Sequence, residues 1–115
     1  MKKIFLTRKL LKENEDKLKT LFEIKTNRDD RLYSSDEIIE GSKDCDGILS
    51  SVSDKFDKNV ISNLSNKVKI IANGAVGYGN IDVMAAKKKG ILVTNAPDVL
   101  TDATADIAIL LLLGA

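Results

Sequence analysis

The feature that most limits what this chain can become is an alternation of short apolar, β-rich runs with segments of helical periodicity, sustained along its length. Residues 2–7 (KKIFLT) read as a strand, and 14–21 then carry apolar residues at helical spacing. The pattern repeats with 22–26 as a strand, 35–42 as a helix, 47–50 as a strand, and 57–64 as a helix opened by Asp57 as N-cap. It continues with a strand at 68–73, a helix at 83–89, a strand at 91–95 and a last helix from about Thr101. Strands that alternate with helices form right-handed crossovers, which build a parallel sheet covered on both faces. Lys69-Ile70-Ile71-Ala72 is nearly continuous in its apolar character, as a strand buried on both sides should be.

The expected fold is therefore α/β, a flavodoxin-like, doubly wound five-stranded parallel sheet in the order 2-1-3-4-5. At 115 residues the chain is one domain, long enough to bury about two thirds of its unfolded surface. It shows no internal repeat, low-complexity tract or Pro/Gly/Ser-rich linker, and its one proline is Pro97. Residues 1–100 read as the flavodoxin-like domain and 101–115 as the start of a further helix. The run Ile107–Leu113 is apolar around the whole helical circumference, which suits a helix buried on all sides, yet it is far short of the roughly 20 residues that span a bilayer. Because the sequence stops at Gly114-Ala115 inside this pattern, the expectation is that further chain, a second protomer as in a homodimer, or both, cover it.

Lys and Arg total 18 and Asp and Glu 17, a net charge of +1 spread along the chain, so no basic stripe suggests nucleic acid as a partner. Lys87-Lys88-Lys89 before Gly90 read as cations completing a helix C-terminus, with glycine supplying the left-handed cap. The single cysteine, Cys45, has no partner for an internal disulfide, and with no signal-peptide pattern a reducing cytoplasm is expected. Its neighbours Asp44 and Asp46 should raise the thiol pKa and leave it unreactive. Asp29-Asp30, Asp44 and Asp46 lie beside turns without a His or Cys cluster, so they read as solvated surface, not as a metal site.

The chemistry is expected in residues 70–82, IIANGAVGYGNID, where a buried strand runs into a loop with Gly74, Gly77 and Gly79 and then into a helix capped by Asp82. In a doubly wound sheet that loop sits in the crevice at the carboxyl ends of the strands, and its glycines let backbone N–H groups approach an anion. The spacing G-x-x-G-x-G is neither the dinucleotide fingerprint nor a Walker loop, so by itself it reads equally well as a tight turn.

Three ordered stretches extend this reading: residues 73–82, residues 88–97 (KKGILVTNAP) and residues 99–106 (VLTDATAD). Together with Asp46-Gly47-Ile48-Leu49 and Ser53-Asp54-Lys55, they resemble the D-isomer-specific 2-hydroxyacid dehydrogenases, above all glyoxylate or hydroxypyruvate reductases, over the whole chain. The resemblance implies the substrate-binding domain of a two-domain oxidoreductase that moves a hydride between NAD or NADP and the C2 carbon of a small 2-keto acid. It implies that the backbone of Ala75, Val76 and Gly77 holds the substrate carboxylate, that Val52 and Leu100 line the substrate pocket, and that Thr104 touches the cofactor. Read from the residues alone, Val52 and Leu100 fit ordinary core packing and Thr104 fits a first-turn helix residue satisfying backbone donors. Gly79 departs from the acidic or similar polar residue usual in the family, which bears on loop stiffness and substrate preference.

Keto-acid reduction needs a proton donor and fixed positive charge near the reacting oxygen, and the chain has no histidine. In the family the catalytic His, its carboxylate partner, the substrate Arg and the G-x-G-x-x-G loop lie downstream of the segment seen here. No catalytic residue and no bound cofactor are therefore expected in this chain alone, which should be inactive by itself. A phosphoacceptor receiver domain would share the topology but needs an acidic pair after the first strand, where this chain has Thr7-Arg8. A non-catalytic interaction module docking through the last helix is the other reading.

Overall fold

The structure, a computed structural model, describes residues 2–9, 12–27, 29–51, 53–74 and 79–95. Among the described residues nine elements alternate in order: β1 (Lys3–Leu6), α1 (Lys12–Lys19), β2 (Glu23–Lys25), α2 (Ser35–Gly41), β3 (Gly47–Ser51), α3 (Lys58–Asn63), β4 (Ile70–Gly74), α4 (Val83–Lys89) and β5 (Leu92–Asn95). The strands form one parallel sheet in the order β2-β1-β3-β4-β5, as the alternation predicts. The helix expected from about Thr101 lies outside the described residues.

Alternation along each strand divides the core in two. Phe5, Ile48 and Ile71 face a cluster with Ile38 of α2, Val60 and Ile61 of α3 and Ala86 of α4. Ile4, Leu6, Leu49, Ile70 and Ala72 face the other side, where Leu18 of α1 and Phe22 close over them. Central β1 and β3 are thus buried on both faces, and β2 at the edge is not.

Local signals account for the helix ends. Ser34 and Glu37 form a reciprocal capping box on α2, Asp57 accepts the Val60 N–H at 2.9 Å, and Asp82 accepts the Ala85 N–H at 3.0 Å. Gly90, at φ 81°, ends α4 with the Ile91 N–H reaching Ala86 O at 2.9 Å and the Gly90 N–H reaching Lys87 O at 3.1 Å, a Schellman arrangement. Of the lysine cluster, Lys89 serves a neighbour: its Nζ donates to Ser62 O (2.9 Å) and Leu64 O (2.5 Å), carbonyls at the end of α3.

Several boundaries differ from the sequence expectation. Helix α1 spans Lys12–Lys19 instead of starting at Asn14 and reaching Leu21. Phe22 is buried like a strand residue, but its N–H returns to Leu18 O at 2.8 Å, so pairing with β1 begins only at Glu23. Val68 and Ile91 likewise spend their N–H groups on Ser65 O and Ala86 O and precede their strands.

Candidate functional site

The carboxyl ends of β1, β3 and β4 converge on one edge, and the polar residues that end these apolar strands are buried there: Thr7 after β1, Ser50 in β3, Asp54 after it and Asn73 in β4. Burying polar groups is costly unless they bond to one another, and here they form a network. The Thr7 hydroxyl donates to Asp54 Oδ2, which also accepts the Ser51 N–H at 2.9 Å and the Ser51 hydroxyl at 3.1 Å. Ser50 Oγ donates to Asn73 Oδ1 at 3.0 Å, and Asn73 Nδ2 donates to Asn80 Oδ1 at 2.9 Å. Asn80 Nδ2 in turn donates to Ser51 O (3.1 Å) and Asp54 O (2.7 Å), joining the turn after β3 to the far side of the glycine loop after β4. Main-chain bonds reinforce this, from the Phe56 N–H to Asn80 O at 2.7 Å and from the Asp82 N–H to Phe56 O at 2.8 Å. Asp54 is 1 % exposed, and its Oδ1 has no hydrogen-bond partner among the described residues.

Arg8 marks the outer rim. Its Nε donates to Asp30 Oδ1 at 2.9 Å, its Nη1 donates to Ser53 Oγ at 3.1 Å, and Asp30 also accepts the Lys9 N–H at 2.9 Å. The Arg8 guanidinium and that N–H hold the Asp30 carboxyl down to about 2. Asp30 sits at φ 49°, a left-handed conformation that an aspartate tolerates better than most residues.

Among the described residues no group of three or more His, Cys, Asp or Glu could hold an ion. Asp44 accepts from Lys25 Nζ at 2.6 Å and Lys3 Nζ at 2.8 Å, and Asp46 accepts the Lys3 N–H at 2.8 Å, all at the opposite edge of the sheet. Cys45 is buried and free, with its thiol pushed up to about 11. Burial is the main cause. Asp44 adds to it and Lys25 and Lys3 oppose it, whereas Asp46, which the sequence also suggested, is not a contributor.

The residues that the resemblance assigns to the site, Val52, Ala75, Val76, Gly77, Leu100 and Thr104, lie outside the described residues. Their described neighbours are placed: the β3–β4 ladder ends on the pair Ser51 and Gly74, which immediately precede Val52 and Ala75 in the chain. The residue after β1 is Arg8-flanked Thr7, not the acidic pair of a receiver domain. No described strand opens a G-x-G-x-x-G turn, and Asp30, the acid after β2, is bonded to Arg8.

Residues 4–109 match the catalytic domain of the D-isomer specific 2-hydroxyacid dehydrogenases. The chain belongs to that family. It is 42% identical over 111 residues to the glyoxylate reductase of Pyrococcus horikoshii, covering 96% of this chain and 33% of the relative. Among solved structures it superposes with a TM-score of 0.82 and 33% identity on a Polaromonas protein described as an NAD-binding D-isomer specific 2-hydroxyacid dehydrogenase, over 99% of this chain and 36% of that one. It also superposes on the NADPH-dependent glyoxylate/hydroxypyruvate reductase of Sinorhizobium meliloti, solved with NADP and malonate, with a TM-score of 0.64, 32% identity, and coverage of 98% of this chain and 34% of that one. The chain thus spans about one third of the length of the curated relatives it matches. No helix among the described residues is long and apolar enough to cross a membrane.

Proposed function

We propose that this domain is the substrate-holding part of an NAD(P)-dependent reductase that interconverts small 2-keto acids of the glyoxylate or hydroxypyruvate type and D-2-hydroxy acids. The observation that supports this most is the pairing of Ser51 with Gly74 at the end of the β3–β4 ladder, because the residues that immediately precede Val52 and Ala75 then lie side by side. In this reading the backbone N–H groups of Ala75, Val76 and Gly77 hold the carboxylate, while Val52 and Leu100 border the rest of the substrate. NAD or NADP supplies the hydride when bound, is held by residues outside this domain, and touches it at Thr104. The domain's contribution is to orient the keto acid and exclude water, which can supply a large part of a rate enhancement without any proton transfer. With no G-x-G-x-x-G loop and no histidine in these 115 residues, they are expected by themselves to bind no cofactor and turn nothing over. The apolar segment 107–113 serves as a homodimer contact, and the buried thiol of Cys45 suits a reducing cytoplasm.

The test is a titration of the ¹⁵N-labelled chain with glyoxylate and hydroxypyruvate, with acetate at equal ionic strength as control. Both keto acids are expected to move the amide signals of Ser51, Ser53 and residues 74–79 with dissociation constants of about 1–10 mM, the weak range suited to half a site. Shifts no larger than those from acetate, or confined to other regions, would overturn the reading.

A further inference from the structure

The buried carboxylate of Asp54 takes no part in the substrate contacts proposed above, yet it occupies the centre of the edge. One of its oxygens accepts from Thr7 at the end of β1 and from both the N–H and the hydroxyl of Ser51 at the end of β3, while its own main-chain carbonyl is held by Asn80. The residue before it, Ser53, is held from outside by Arg8, whose guanidinium is itself braced by Asp30. Ser51 and Ser53, the residues on either side of Val52 in the chain, are therefore each tied, Ser51 by Asp54 and Ser53 by Arg8.

We propose that Asp54 and Arg8 are positioning residues for keto-acid binding: they fix Ser51 and Ser53, the residues on either side of Val52, where Asn80 also holds the Ser51 and Asp54 carbonyls. This rests on the proposed reading that Val52 borders the substrate. A strand end left without these ties would have several conformations, of which few match the pocket, and binding weakens by the fraction lost. Asp54 suits the task because its three donors come from two different strands, so no local hydrogen bond replaces it. Arg8 suits it because its planar fork grips Asp30 and leaves Nη1 for Ser53.

The experiment repeats the glyoxylate and hydroxypyruvate titrations on the 115-residue chain carrying Asp54→Ala, Asp54→Asn or Arg8→Gln, with thermal unfolding of each variant. Asp54→Ala is expected to weaken both ligands about tenfold, in line with the loss of a supporting group behind a binding residue. Asp54→Asn keeps an acceptor for Thr7 and Ser51 and should restore binding to within about threefold of the parent. Arg8 lies on the rim, so Arg8→Gln should leave the unfolding midpoint unchanged while weakening binding about threefold. A purely structural role for Asp54 would lower the midpoint and leave the dissociation constant of the folded chain unaltered, and that outcome overturns the proposal. If Asp54→Ala does not fold, parental binding by Arg8→Gln overturns it instead. A parent chain that does not respond to keto acids at all marks failure of the underlying functional reading, which is a different result.

Discussion

Replacing Gly41 with alanine tests how tightly helix α2 is pressed against Phe5 of β1. A Cβ at Gly41 would lie 2.6 Å from Phe5 Cε1 and 2.7 Å from Phe5 Cζ. Carbon atoms rest comfortably at about 3.5–4.0 Å, so the ring or the helix must move by about 1 Å. The ring has little room: Phe5 is 5 % exposed, stacked on Tyr33 at 5.5 Å, and its backbone is paired on both sides, to Lys25 and Ile48. Overpacking of this kind costs about 1–3 kcal/mol, and the better helix propensity of alanine returns at most about 1 kcal/mol at this last helical position. The net loss is about 1–2 kcal/mol, which for a domain of this size lowers Tm by about 4–8 °C. Urea unfolding followed by far-ultraviolet circular dichroism measures it, with Gly79→Ala as control, since a Cβ there meets nothing within 4 Å among the described residues. A Gly41→Ala chain as stable as the parent would show that Phe5 yields freely, and the account of a rigid junction between α2 and β1 would be wrong.

Three further outcomes are expected. Gly90→Ala forces a side chain into the left-handed cap at φ 81° and should destabilise by about 1 kcal/mol, read from the same urea curves. Cys45, with its thiol pushed up to about 11 by burial, should resist iodoacetamide at pH 8 in the native chain and react rapidly once urea exposes it. The Glu37 carboxyl, held at about 2 chiefly by Arg31 against an ordinary 4.5, makes a contribution that is present above the ordinary carboxylate range and lost as pH falls towards about 2. Glu37→Gln should therefore reduce the steepness of acid unfolding between those limits and leave the high-pH side unchanged.

What could be read in advance follows a physical division. The strand order, the caps at Asp57 and Asp82 and the left-handed end at Gly90 rest on periodicity and on residues near one another in sequence, and all appear in the structure. The polar network does not: Thr7 and Asp54 are 47 residues apart, and Ser50 and Asn73 are 23 apart, so nothing local announces either pair. A usable signal existed in the polar residues that end otherwise apolar strands, Thr7, Ser50 and Asn73, because a buried strand end must bond such groups to something. Asp54 enters the sequence reading only within the family likeness of Ser53-Asp54-Lys55, and Asn80 only within the glycine-rich stretch. The misplaced starts of β2, β4 and β5 share one cause, since Phe22, Val68 and Ile91 are apolar enough for strands but give their N–H groups to preceding turns.

The most direct test of the central claim is to graft this chain into the Pyrococcus horikoshii glyoxylate reductase in place of the matching 111 residues and to follow oxidation of NADH and NADPH with glyoxylate and hydroxypyruvate. The account predicts keto-acid-dependent turnover, reduced by no more than the roughly hundredfold that a 1 Å misalignment of the two parts would cost. A folded graft that still binds the nucleotide yet reduces neither keto acid would contradict it.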